Sequence, residues 1–281
     1  VTEFTMGSLV SSLTVNQTYQ LDIPSGFIVD SGGTDYAGTA YTFTAQDAQG
    51  KYWVLGGEAN SGKAGPDFID TPQFSSPVQI WGSVEDWSQL NTGNSAAGTN
   101  VNHQVSITRD GKLWGWGNAT EGELGLNDRA HRSSPTQIGS GTDWATVSKG
   151  YYCTLAVKTD GTLWSWGNNT SGQLGITLGA SAKRSSPTQL PGTDWASAYG
   201  GHYGNAAIKT NGTLWTWGRN NDGVLGLNQA PAQLPNASSP TQIPGTTWSK
   251  FAFSHEDSSF GIKTDGTLWA WGYNARGQLG Q

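Results

Sequence analysis

The residues of this 281-residue chain that could do acid–base, nucleophilic or metal chemistry are few and scattered. Histidine occurs at His103, His131, His202 and His255, with neither the i, i+4 pairing nor the Cys/His spacing of a metal site. Hydrogen bonding at turns and strand ends is the expectation for each. The one cysteine, Cys153, rules out an internal disulfide and lies in an apolar run, where a thiol is inert. Glu121, Glu123 and Asp128 form the densest acidic patch, and His255-Glu256-Asp257 a second polar cluster. Two carboxylates held about 5–9 Å apart would suit glycoside hydrolysis, but solvated loops are the expectation for both groups. No Gly-x-Ser-x-Gly nucleophile turn occurs, and the Gly-rich stretches lack the Gly-Lys-Ser/Thr that cradles phosphate. The expectation is a non-enzyme with no catalytic set, no cofactor and no metal.

Composition narrows the class further. Charged residues are 13% of the chain, well below the roughly 25% of an average globular protein, and the net charge of −6 comes without a Lys/Arg cluster. That excludes the basic footprint of a nucleic-acid binder. No apolar run reaches the length of a membrane span. No signal peptide is recognised, and the first residue is Val, so a processed chain and a fragment are both open. Forty glycines among many Ser, Thr, Asn and Gln suit short strands joined by tight turns, while fourteen tryptophans argue against disorder.

The elements that would position any site come from a repeat of about 50 residues. Asp110-Gly-Lys-Leu-Trp114-Gly-Trp116-Gly117 returns as Asp160 to Gly167, Asn211 to Gly218 and Asp265 to Gly272. A degenerate copy, Gly50 to Gly56, keeps Trp53 but has Leu55 in the slot of the second Trp. Gly-x-Leu-Gly follows at Gly122, Gly172, Gly223 and Gly277, with Gly62-Lys-Ala-Gly65 in the first copy. Ser-Ser-Pro-x-Gln-Ile/Leu then begins at Ser75, Ser133, Ser185 and Ser238, and a further Trp comes at Trp87, Trp144, Trp195 and Trp248.

Each repeat reads as four short strands. In order these are Pro-x-Gln-Ile, with Pro suiting a strand's first residue, the segment from the Asp-Trp onward, an apolar run such as Cys153 to Val157, and Leu-Trp-x-Trp. Asp-Gly or Asn-Gly before the last strand reads as a two-residue hairpin turn, which accounts for the recurring Asp110, Asp160, Asn211 and Asp265 without a ligand. In Leu-Trp-x-Trp the two indoles share one face, and Leu with a small residue takes the other. A strand apolar on both sides is packed on both sides. The expected fold is therefore all-β, a β-propeller of four-stranded blades with about five repeats. The number becomes six or seven if further strands or chains complete the ring. Trp53, Trp114, Trp116, Trp164, Trp166, Trp215, Trp217, Trp269 and Trp271 are the expected blade-packing residues. Residues 35–281 are the expected propeller. Residues 1–34 contain a possible strand from Ser12 to Leu21, and are read either as ring-closing strands or as an arm that docks on a partner.

The co-spaced landmarks, apolar strand, Asp-Gly, Leu-Trp-x-Trp-Gly and Gly-x-Leu-Gly, resemble the repeat of the regulator of chromosome condensation family. The likeness covers residues 75–281 well and 35–66 weakly. It implies a β-propeller, and its eponymous member exchanges nucleotide on a small GTPase and contacts chromatin. The family's frequent His at the start of the third strand is matched here only by His103. Cys153, Gly204 and Ser258 hold the equivalent slots, and no motif carries the exchange activity across.

Function is expected where the chain does not repeat, in the loops after Trp-Gly. The candidate binding residues are Asn118, Asn168, Asn169, Arg219, Asn220, Tyr273 and Arg276. Phrases such as Ser-Ser-Pro-Thr-Gln-Ile also resemble structural proteins of marine bacteriophages. That resemblance implies a virion-surface component, a tail-fibre or capsid-surface protein, with partners among its own assembly and a host-surface glycan or receptor. The alternatives are a cytoplasmic regulator that binds a GTPase or another protein through the propeller face, and an extracellular carbohydrate-binding or carbohydrate-active protein.

Overall fold

The computed structural model describes residues 86–89, 103–177, 183–202, 204–254 and 258–280, together with the backbone of four short strands, β1 (Thr18–Asp22), β2 (Ala40–Thr44), β3 (Trp53–Val54) and β4 (Val78–Gln79). The chain divides into two compact units, Val1–Gln49 and Gly50–Gln281. The boundary expected between residues 34 and 35 lies outside the described residues. In the first unit β1 pairs antiparallel with β2, Thr18 opposite Thr44.

In the second unit the repeats become blades. The first described blade has β5 (His103–Ile107), β6 (Leu113–Gly117) and β7 (Arg132–Gln137), with Trp87 bridged to Thr108 in the place of an inner strand. The second is a four-stranded meander of β8 (Trp144–Lys149), β9 (Cys153–Lys158), β10 (Leu163–Gly167) and β11 (Arg184–Gln189). The third is another, of β12 (Trp195–Gly200), β13 (Gly204–Lys209), β14 (Leu214–Arg219) and β15 (Asn236–Gln242). The fourth shows β16 (Trp248–Phe253), β17 (Ser258–Lys263) and β18 (Leu268–Gly272). A further pair, β3 with β4, sets Trp53 opposite Gln79 and belongs to the degenerate copy.

The blade corrects the phase of the repeat. Ser-Ser-Pro-Thr-Gln pairs with the preceding Leu-Trp-x-Trp strand, as β11 does with β10, and so closes a blade rather than opening one. Its proline is not the strand's first residue but falls inside it, where the register shifts between Ser165 and Gly167. A residue without an N–H is accommodated at such an irregularity on an edge strand. The hairpin is also one residue longer than expected. Lys158 N–H bonds to Thr162 C=O at 2.9 Å and Gly161 N–H to Lys158 C=O at 3.0 Å, leaving Thr159-Asp160-Gly161 as the loop. Only Gly161 has positive φ, +79°, the pattern of a type I turn with a glycine bulge. Asp160 Oδ1 accepts the Thr162 N–H and Oγ–H at 2.9 and 2.7 Å, and Asn211 and Asp265 repeat this.

The core lies in the seams between blades. One cluster joins Val105, Ile107 and Leu113 of the first described blade to Val147, Ala156 and Trp166 of the second. Another joins Leu155 and Leu163 to Ala207 and Trp217, and a third joins Ile208 and Leu214 to Trp248 and Phe251. The inner strands β8 and β12 touch, as do β12 and β16. Tyr151 N–H reaches Gly201 C=O at 3.0 Å across that inner edge.

Candidate functional site

The tryptophans divide into two kinds. The second of each pair, Trp116, Trp166 or Trp217, is fully buried. Trp166 donates its indole N–H to Glu123 C=O at 2.7 Å, Trp217 to Gln173 C=O at 2.9 Å and Trp271 to Val224 C=O at 2.9 Å. Each acceptor is the variable residue of the preceding blade's Gly-x-Leu-Gly. Each takes a second bond from the next blade, from Thr154 Oγ1 at 2.8 Å, Asn205 Nδ2 at 2.6 Å or Ser259 Oγ at 2.7 Å. The last glycine of the motif is the floor of this socket. A Cβ on Gly226 would lie 2.6 Å from the Trp271 indole nitrogen.

The first Trp of each pair, Trp114, Trp164 or Trp215, is half-buried, and Trp269 is exposed. Trp164 meets Trp144 edge-on, centroids 6.1 Å apart, and Trp215 meets Trp195 likewise. Lys158 lies 4.9 and 5.1 Å from the two rings of its blade and is paired with Asp143 at 3.1 Å. Lys209 does the same over Trp195 and Trp215, paired with Asp194. Trp114 and Trp116 likewise meet Trp87, and Trp269 and Trp271 meet Trp248. The side chain of Trp53 lies outside the described residues.

The strand order places the loops on two sides. The Asp-Gly turns and the links before each inner-strand Trp share one side. The turns after the inner strands and the loops after Trp-Gly share the other, where Asn168 N–H bonds to Tyr152 C=O at 2.9 Å. On this second side all four candidate asparagines, Asn118, Asn168, Asn169 and Asn220, are buried. Their amides hold the loops in shape. Asn118 and Asn168 accept the backbone and hydroxyl of Thr120 and Thr170, and Asn169 and Asn220 accept Leu174 N–H and Leu225 N–H at 3.0 and 3.1 Å. Arg219 and Tyr273 are half-buried and Arg276 is exposed. Tyr151 packs edge-on against Tyr152 and His202, centroids 4.2 and 4.3 Å apart. Arg129 lies in the exposed loop between β6 and β7, whose Asp128 pairs with Arg132 at the start of β7 at 2.6 Å.

The titratable groups are built into this frame. His103 is buried, and desolvation, aided by the Lys149 charge, lowers its pKa to about 3. It is therefore neutral, with Nε2 at 3.1 Å from Thr154 Oγ1. Burial pushes the Cys153 thiol up to about 11, so it is not a nucleophile. His131 Nδ1 accepts Ala119 N–H at 3.1 Å. Among the described residues, no group of three His, Cys, Asp or Glu could hold a metal ion. Nor is any helix among them long and apolar enough to cross a membrane. The His255-Glu256-Asp257 cluster lies outside the described residues. Glu123 is fully buried, not part of a solvated loop. Its place in the Gly-x-Leu-Gly slot beneath the next blade was the sequence signal for that.

Comparison with known proteins agrees with this architecture. The regulator of chromosome condensation (RCC1) repeat matches residues 110–157, 160–208 and 211–255. The chain is 33% identical over 198 residues to the mitochondrial RCC1 domain-containing protein RUG3 of Arabidopsis thaliana, covering 66% of this chain and 43% of that one. It is 27% identical to the regulator of chromosome condensation of Xenopus laevis, covering 73% and 50%. The crystal structure of human WBSCR16 superposes with a TM-score of 0.69 at 24% identity, over 86% of this chain and 61% of that one. Prp20p of Saccharomyces cerevisiae gives 0.62 at 19% identity, over 75% and 51%. The chain thus spans half or less of the length of these two relatives. By its repeats and its blades, it belongs to the regulator of chromosome condensation repeat family.

Proposed function

We propose that this chain is a non-catalytic protein-binding module that engages its partner through the side carrying the long, variable loops. The observation behind this is the division of labour within each blade. Tryptophans, asparagines and buried acids are used in the seams and loop frames, so the blades form a stiff platform. What differs from blade to blade is the exposed loop chemistry: Arg129 and His131 in one, Gln229 and Gln233 in another, Arg276 in a third. Variable loops on a rigid scaffold are the usual seat of recognition.

A GTPase or other protein partner inside the cell is the reading the relatives favour. The Xenopus relative is a regulator of chromosome condensation, and the Prp20p structure was reported with that protein's binding to Gsp1p and histones. The virion-surface role rests on the resemblance of the Ser-Ser-Pro-Thr-Gln phrases alone, and no observation among the described residues favours the carbohydrate role. Immobilised chain should capture a defined protein that rebinds when purified. A GTPase partner would bind differently when nucleotide-free, GDP-loaded and GTP-loaded. Binding to intact virions or host glycans, with no soluble protein partner, would overturn the proposal.

A further inference from the structure

The variable slot of Gly-x-Leu-Gly holds Glu123, Gln173, Val224 and Gln278. In the second blade Gln173 is fixed at both ends. Its Oε1 accepts Ser171 N–H at 2.8 Å, and its Nε2 donates to Asn168 Oδ1 at 3.0 Å. Gln278 Oε1 repeats the first bond, accepting Arg276 N–H at 2.8 Å. Glu123 repeats it too, with Oε2 accepting Glu121 N–H at 2.8 Å. Its other oxygen, Oε1, is buried without a hydrogen-bond partner.

The slot of Asn168 is held here by Asn118. Asn118 Oδ1 accepts Thr120 N–H and Oγ–H at 2.9 and 2.8 Å, and Asn168 Oδ1 accepts the same groups of Thr170 at 2.8 and 2.7 Å. The two loops are built alike, so a Glu123 carboxylate sets a charged acceptor where the second blade has an amide donor. We propose that Glu123 is a protonated stand-in for glutamine. It is a neutral acid whose Oε1–H donates to Asn118 Oδ1, and losing that proton weakens the seam between the first two described blades.

The surrounding charges are few. From its own loop comes Glu121, tied to Lys183 at 2.7 Å and to the Asn168 amide. From β9 comes the neutral Cys153 thiol. Beyond Thr154 lies neutral His103, whose C=O accepts Lys149 Nζ at 3.2 Å. Burial raises the Glu123 carboxyl to about 7 and the Glu121 charge adds to this, while backbone N–H groups and Lys183 oppose it. The folded value lies above the ordinary 4.5. Between about pH 4.5 and 7 the folded chain therefore keeps a proton that the unfolded chain releases, and this group's contribution falls as pH rises through that window.

The test compares thermal unfolding of the full chain with its Glu123→Gln variant from about pH 4.5 to about pH 8.5. The variant should gain melting temperature relative to the parent as pH rises to about 7, and hold that lead above it. A pH-independent difference, or a variant less stable than the parent at alkaline pH, would overturn the proposal. Infrared difference spectroscopy on the unaltered chain gives an independent reading. A buried carboxylic C=O stretch should be present in mildly acidic buffer and disappear on passing neutrality. No such stretch at any pH, or one that persists unchanged in Glu123→Gln, would overturn the proposal.

Discussion

Trp166 of one blade and Glu123 of the blade before it are joined by an indole N–H bond to a main-chain carbonyl, 2.7 Å long and buried. The same joint recurs between Trp217 and Gln173 and between Trp271 and Val224. The repeat therefore encodes the attachment of one blade to the next as much as the blade itself.

Removing the ring and removing only its donor should differ. Trp166→Ala is expected to cost about 3–5 kcal/mol as a core truncation. Trp166→Phe keeps much of the apolar contact and loses one bond to a carbonyl that retains the Thr154 donor. Beyond lost packing, its hydrogen-bond cost should be about 1 kcal/mol. Urea unfolding of both variants measures this, and equal losses would mean that the N–H rather than the ring holds the seam.

Glycine substitutions separate conformation from space. Gly139 and Gly175 have similar φ, +65° and +68°, but a Cβ on Gly139 meets nothing within 4 Å. On Gly175 it would lie 2.8 Å from Leu190 and 2.9 Å from the Trp217 indole. Gly139→Ala should cost roughly 1 kcal/mol for its backbone alone. Gly175→Ala should cost at least about 1 kcal/mol more from overpacking. Chemical denaturation curves for the pair provide the check.

One defect in the repeat can be repaired. Trp164, Trp215 and Trp269 donate to Thr162, Thr213 and Thr267 at 2.9, 2.9 and 3.0 Å, but Lys112 takes the Thr slot before Trp114, whose indole N–H has no partner. Lys112→Thr should stabilise the chain by about 1 kcal/mol. It gives up an exposed ion pair to Asp110, and such pairs contribute little. A lower melting temperature would show that the Lys112–Asp110 pair matters more than the indole bond.

His103 sets the acid limit. Its folded pKa is lowered from 6.5 to about 3, so its contribution is whole above 6.5 and is lost as pH falls toward 3. Between about 4.5 and 6.5 this trend opposes that of Glu123, and the two should leave the melting temperature nearly level. In Glu123→Gln the balance is gone, and the melting temperature should rise with pH across that range. Melting curves in closely spaced buffers test the sign.

Much of the fold was legible because indoles and glycines recur with fixed spacing, and a Trp pair at i and i+2 in each repeat leaves few other architectures. The blade's phase was not legible. Pairing of Ser-Ser-Pro-Thr-Gln with the strand before or after it leaves the sequence pattern unchanged, and only the ladder from β10 to β11 decides. The loop asparagines misled for a physical reason. A short polar side chain after Trp-Gly looks the same whether it faces a ligand or caps its own loop, and Asn118, Asn168, Asn169 and Asn220 cap. Glu123 was hidden by its type, since a carboxyl reads as solvent-facing until a neighbouring blade is laid over it.

The central claim is that recognition belongs to the variable-loop side. The most direct measurement is the affinity of a purified partner for two variants of the full chain with unchanged melting temperature. One carries Arg219→Ser, Tyr273→Ser and Arg276→Ser. The other places Thr193→Arg and Thr246→Arg among the exposed residues of the opposite side. The account predicts at least about tenfold weaker binding for the first, a loss of roughly 1.4 kcal/mol, and no change for the second. Binding lost only in the second would contradict it.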